Sequence, residues 1–174
     1  MIVLSGPKHC GKTTAGGLLA AALNRPFFDL DAQIQKETGK TPRDIFAEGP
    51  EVFRKAEEEA LRRLLSLPEA ENATLAAGGG VIDNPAAMSL LNSAQAIIVY
   101  IEISAATAWN RIVPGGLPAF LKTDDPKETH RLLHERRAAE YKKAARFTVN
   151  AENKSPHETV CLIMNILKKM DFNV

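Results

Sequence analysis

The sequence predicts an α/β fold in three layers, a five-stranded parallel sheet with helices on both faces. Three observations carry that prediction. Short apolar runs alternate with longer segments of helical period, the order that builds a parallel sheet covered by helices. A glycine-bearing polar loop joins the first run to the first helical segment. The chain has 174 residues, 45% hydrophobic and 25% charged, which is enough for one core and too little for two.

Taken in order, residues 2–4 form the first strand and 13–23 the first helix. Residues 27–29 form the second strand, and if Asp31 is an N-cap a helix follows over 32–37. The segment 52–67 is a longer helix, because Val52, Phe53, Ala56, Ala60, Leu64 and Leu67 recur at helical spacing and charges fill its other face. Strands at 74–77 and 96–101 come next. Helices over 105–112 and 126–145 precede the last strand, 147–149, and a helix over 156–169 follows it. Ser104 and Ser155 stand where N-caps belong, and Pro156 suits a first helical turn.

Composition narrows the partners. A formal net charge of +1, with basic residues interleaved among acids and not clustered with aromatics, argues against nucleic acid as a ligand. No apolar run reaches membrane-spanning length, and the N-terminus enters a strand pattern directly, so the expected compartment is the cytoplasm. The only cysteines, Cys10 and Cys161, make no disulfide framework. A monomer is expected.

The stretch "GPKHCGKTT", residues 6–14, fits G-x-x-x-x-G-K-[ST] with Gly6, Gly11, Lys12 and Thr13 in register, after a strand and before a helix. Glycines let successive N–H groups turn inward onto phosphate oxygens. Lys12 then reaches the β- and γ-phosphates, the Thr13 hydroxyl ligates Mg²⁺, and the helix adds its positive end. This loop is expected to hold a nucleoside triphosphate, with Lys8 and Thr14 beside it; His9 and Cys10 read as solvated loop side chains.

The phosphate loop leaves the acceptor open, because switches, motors and small-molecule kinases share it. Asp29 and Asp31 stand at the end of the second strand, where the ligand crevice of a parallel sheet lies; two apart on extended chain, they share a face. Arg54 and Glu57 lie one helical turn apart and can pair while the guanidinium still meets a carboxylate. Gly78, Gly79 and Gly80 end the third strand, where bare backbone approaches a polar ligand closely.

Together these residues make the chain resemble a shikimate kinase over nearly its whole length. The resemblance rests on the phosphate loop, Asp-x-Asp after "FF", "TGK" at 38–40 followed by "IFAEG" at 45–49, "FRxxE" at 53–57, "GGG" at 78–80 and "ERRAAEY" near the end. It implies a P-loop kinase domain over 1–174, with a substrate-binding region at about 30–62 and a lid at about 113–125. It also implies ATP and Mg²⁺ as cofactors, a small hydroxy-acid substrate, and transfer of the γ-phosphoryl to the 3-hydroxyl of shikimate. By resemblance, Asp31 holds and deprotonates the hydroxyl, and Asp29 supports Mg²⁺ through water. Arg54 and Arg137 bind the carboxylate, Glu57 orients Arg54, and Gly79 and Gly80 line the ring. Arg111 and the segment from Lys154 to Pro156 pack around adenine.

The lid departs from the resemblance. The family carries an arginine there in an Arg-Pro-Leu-Leu run; this chain reads Gly116-Leu117-Pro118-Ala119-Phe120-Leu121, with Leu117 at the arginine position. Lys8, Lys122 and Arg136 are the candidate replacement cations. The alternatives are a kinase of another hydroxy acid or polyol such as gluconate, and a nucleotide-binding module without catalysis.

Overall fold

Every residue of the first strand is buried, and alternate residues enter different cores: Ile2 and Leu4 pack on one side of the sheet, Val3 on the other. A parallel strand covered on both faces is therefore apolar throughout, which is why it reads as an unbroken run. In the computed structural model, which describes residues 1–170, β1 (Ile2–Ser5) is the central strand of a sheet ordered β2-β3-β1-β4-β5. It pairs with β3 (Thr74–Ala76) and β4 (Ile97–Glu102), which pair in turn with β2 (Phe27–Asp29) and β5 (Phe147–Asn150), all in parallel. The domain expected over 1–174 thus runs past the described residues, and 171–174 lie outside them.

Helices α1 (Lys12–Ala22) and α8 (Pro156–Lys169) cover one face, where Leu19, Ile163 and Leu167 meet Ile2, Leu4, Val99 and Ile101. On the other face α2 (Leu30–Thr38), α4 (Pro50–Leu65) and α5 (Pro85–Ser93) bring Leu30, Ile34, Leu61, Leu64 and Leu91 onto Val3, Leu75 and Ile98. The remaining helices are α3 (Pro42–Glu48), α6 (Ala105–Ile112) and α7 (Pro126–Ala144).

Ser104 and Ser155 cap α6 and α8, and Ser155 forms a reciprocal capping box with Glu158. Two short helices, α3 and α5, lack a clear apolar period, although both carry start signals. α3 opens on a Thr41–Asp44 capping box with Pro42 in its first turn, and α5 on Asn84 followed by Pro85. The N-cap of α2 is Asp29, not Asp31: the Asp29 carboxylate accepts from Ala32 N–H, and the helix starts two residues early, at Leu30. Among the described residues, no helix is long and apolar enough to cross a membrane.

Candidate active site

The chain leaves β1 through a loop that only glycine can begin. Gly6 has φ 144°, and a Cβ there would sit 2.6 Å from the Ile101 carbonyl oxygen. His9 (φ 61°) and Gly11 (φ 101°) are also at positive φ, so the backbone curls into a concave run of N–H groups before α1 begins. Lys12, nearly buried, donates from Nζ to the carbonyls of Gly6 and Pro7 at 2.9 and 2.8 Å. Cys10 is buried as well, against the solvated placement expected for it. Its thiol turns under the loop, 3.7 Å from Lys12 Nζ. Arg111 steadies the same loop by donating to the His9 carbonyl at 3.1 Å.

The phosphate loop forms one wall of a cavity of about 910 Å³. Lys8, Gly11, Lys12, Thr13, Thr14, Asp29, Asp31, Gly78, Gly79, Gly80 and Arg137 line it, so most of the residues singled out from sequence converge there. The Thr13 hydroxyl donates to Asp29 Oδ2 at 2.6 Å, which sets two hard oxygen donors side by side at the start of α1. Asp29 and Asp31 do not share a strand face as expected, because the chain turns helical after Asp29; both still reach the cavity. Burial, reinforced by the charge of Asp29, raises the Asp31 pKa against the opposing pull of Lys12 and Lys8.

Glu57 lies beneath this floor, 1% exposed. A Cβ on Gly78 would come within 3.0 Å of Glu57 Oε1 and 3.1 Å of Asp31 Oδ1, so glycine is what lets strand β3 end against two carboxylates. Asn84 donates to Glu57 Oε2 at 2.9 Å, while Oε1 is buried without a partner. Burial pushes the Glu57 carboxyl from 4.5 up to about 7, the Asn84 hydrogen bond opposing and the Asp31 charge adding to the rise. The expected Arg54–Glu57 pair is absent: Glu57 turns inward to Asn84, and the half-exposed Arg54 reaches back one turn to Glu51 in solvent. Arg54 does not line the cavity.

Arg137 does line it, held from behind by Asp83, which accepts from Nε at 2.8 Å and pairs with NH2 at 2.7 Å. Burial pulls the Asp83 pKa up, but the hydrogen bonds from Arg136 and the Arg137 charge hold it low. Arg136 spends both terminal nitrogens on Asp83 at 2.9 Å, and Lys122 is outside the lining; of the three candidate replacement cations only Lys8 faces the cavity. Gly6, Arg111, Lys154 and Pro156 also lie outside it, the last two exposed at the start of α8.

The motifs that contain Phe46, Phe53 and Phe120 meet in a roof over this cavity. Phe46 of α3 meets Phe53 of α4 and Phe120 of the segment between α6 and α7 edge-on, each at 6.0 Å between ring centroids. The Arg137 guanidinium lies 5.9 Å from the Phe120 centroid. Gly116, Pro118 and Phe120 line the cavity, while Leu117 between them is half-buried and does not. Arg43 of α3 also lines it. The capping box that starts α3 was the available signal for Arg43 and Phe46.

Comparison with known proteins places this arrangement. The family model for shikimate kinase matches residues 8–168. The chain is 33% identical to the shikimate kinase of Rhodococcus jostii strain RHA1 over 91% of its own length and 92% of that protein's. It is similar in structure to the shikimate kinase of Acinetobacter baumannii solved in complex with shikimate, with a TM-score of 0.88, 29% identity and coverage of 99% and 94% of the two chains. The shikimate kinase of Aquifex aeolicus superposes with a TM-score of 0.77 at 30% identity, covering 99% of each chain.

Proposed function

Because the chain belongs to the shikimate kinase family, we propose that it catalyses ATP-dependent phosphorylation of shikimate at the 3-hydroxyl. The observation that carries this reading is the convergence on one cavity of the phosphate loop, Asp31, the Gly78 to Gly80 floor and Arg137.

In a phosphoryl transfer the protein supplies positioning and charge, and the side chains divide that work. Lys12 and the loop N–H groups hold the β- and γ-phosphates, and Gly6, Gly11 and Thr14 shape their seat. Asp31, whose pKa is raised by burial, accepts the proton of the attacking hydroxyl. Arg137, kept in place by Asp83, meets the carboxylate of shikimate, and Gly79 and Gly80 lie along its ring. Arg54 joins them on leaving Glu51, and Glu57 with Asn84 supports the floor. Arg111, Lys154 and Pro156 flank the adenine. Lys8 supplies the positive charge that the lid lacks.

Thr13 directly and Asp29 through water would hold Mg²⁺, their oxygens already meeting at 2.6 Å. When bound it neutralises charge on the phosphates. The substrate-binding region spans about 30–62 and the lid about 113–125.

The test is ADP release with shikimate, with gluconate and without acceptor. Release that depends on shikimate is expected. Faster turnover of gluconate, or release independent of any acceptor, would overturn the assignment.

A further inference from the structure

We propose that Arg43, which no motif singles out, grips the acceptor carboxylate on the lid side of the cavity and shares that anion with Arg137. The inference rests on the shikimate kinase reading, since it takes the acceptor to be a hydroxy acid.

Four cations line the cavity: Lys8, Lys12, Arg43 and Arg137. The two lysines belong to the phosphate loop, and Arg137 is tied to Asp83. Arg43 has no hydrogen bond or ion pair with any described residue. Its neighbour Asp44 feels the Arg43 charge, but its carboxylate takes its hydrogen bonds from the backbone and hydroxyl of Thr41, not from the guanidinium. An unpaired guanidinium facing a cavity has its donor fork available for a ligand.

Its place on α3 says which ligand. Arg43 stands one turn before Phe46, and both line the cavity on the wall that Phe120 of the lid closes against. Residues 113–121 contain no charged side chain, and Arg54 reaches the acceptor carboxylate only on leaving Glu51, whereas Arg43 faces the cavity as it stands. On this wall Arg43 is therefore the cation in position to meet an acceptor anion. A planar fork suits a carboxylate, which it binds through two parallel N–H···O bonds.

The experiment compares wild type, Arg43→Gln and Arg43→Lys on shikimate and on its uncharged carboxamide, with ATP and Mg²⁺ saturating. Arg43→Gln should raise the KM for shikimate tenfold or more and Arg43→Lys by less. The KM for ATP should stay within twofold, and the carboxamide should not distinguish the variants from wild type. A shikimate KM within twofold of wild type, an equal loss on the carboxamide, or a loss confined to kcat would overturn the proposal. Failure of the wild type to turn over shikimate would sink the proposed activity instead. Calorimetric titration of shikimate and the carboxamide onto wild type and Arg43→Gln then decides independently: weakening confined to the carboxylate supports the role of Arg43, and absence of it, or of any binding, refutes it.

Discussion

Replacing Glu57 with glutamine should stabilise the protein at high pH and leave it unchanged at low pH. The carboxyl is 1% exposed, its Oε1 has no partner, and burial pushes it from 4.5 to about 7. Between those values the folded chain keeps a proton that the unfolded chain releases, so stability falls as pH rises through the interval and levels off above about 7. At ~1.4 kcal/mol per pH unit the accumulated loss is ~3 kcal/mol. Glutamine keeps the shape, still accepts from Asn84, and turns a donor toward the Asp31 side. The Glu57→Gln variant should therefore exceed wild type by ~3 kcal/mol at pH 8, on the order of 10 °C in Tm for a chain of this size, and match it at pH 5. Urea unfolding at both pH values, followed by the fluorescence of the single tryptophan, Trp109, measures this directly. A variant less stable than wild type at pH 8, or displaced equally at both pH values, would refute the argument and mean that Glu57 is ionised and compensated within the fold.

Three further outcomes are expected. Lys12→Ala should leave the fold intact and remove phosphoryl transfer, and near-wild-type kcat would sink the phosphate-site assignment. Asp29→Ala removes both the cap on α2 and the partner of Thr13, so it should cost ~1 kcal/mol in denaturant unfolding and raise the Mg²⁺ concentration for half-maximal rate; unchanged metal dependence would detach Asp29 from the metal. Leu117→Arg should raise kcat on shikimate roughly tenfold, since a charge-assisted contact at the transferring phosphoryl is worth ~1.4 kcal/mol at the transition state. No change on any acceptor would mean that the lid does not reach the reacting atoms.

The sheet and the phosphate loop were legible because each is local. β1 is apolar throughout since both its faces are covered, and the loop carries its spacing within nine residues, 6–14. The Ser104 and Ser155 caps were legible for the same reason. What escaped depends on tertiary contact. Glu57 reads as one more charge on an amphipathic helix, and only the approach of Gly78 and Asn84 turns it into a buried acid. Arg54 and Glu57 have pairing distance in sequence, yet their helix faces diverge between solvent and floor. The burial of Cys10 comes from how the loop folds over its own side chains, which no spacing records. Arg43 and Phe46 sit on a helix of seven residues, too short to display a period, so their place in the cavity could not be read from pattern.

The roof meets the wall through aromatic edges, Phe120 on Phe46 and Phe46 on Phe53, and the roof segment at 113–121 is uncharged. Docking of that kind is scarcely screened by ions, so closure should hold its strength as ionic strength rises. Closure of that kind would instead carry a negative heat-capacity change, because apolar rings would leave water. If residues 113–121 close over a bound acceptor, its capture should depend on the Phe120–Phe46 contact: cooling should weaken it, excluded osmolytes should strengthen it, and a polar replacement at either ring should flatten the curvature of acceptor affinity with temperature.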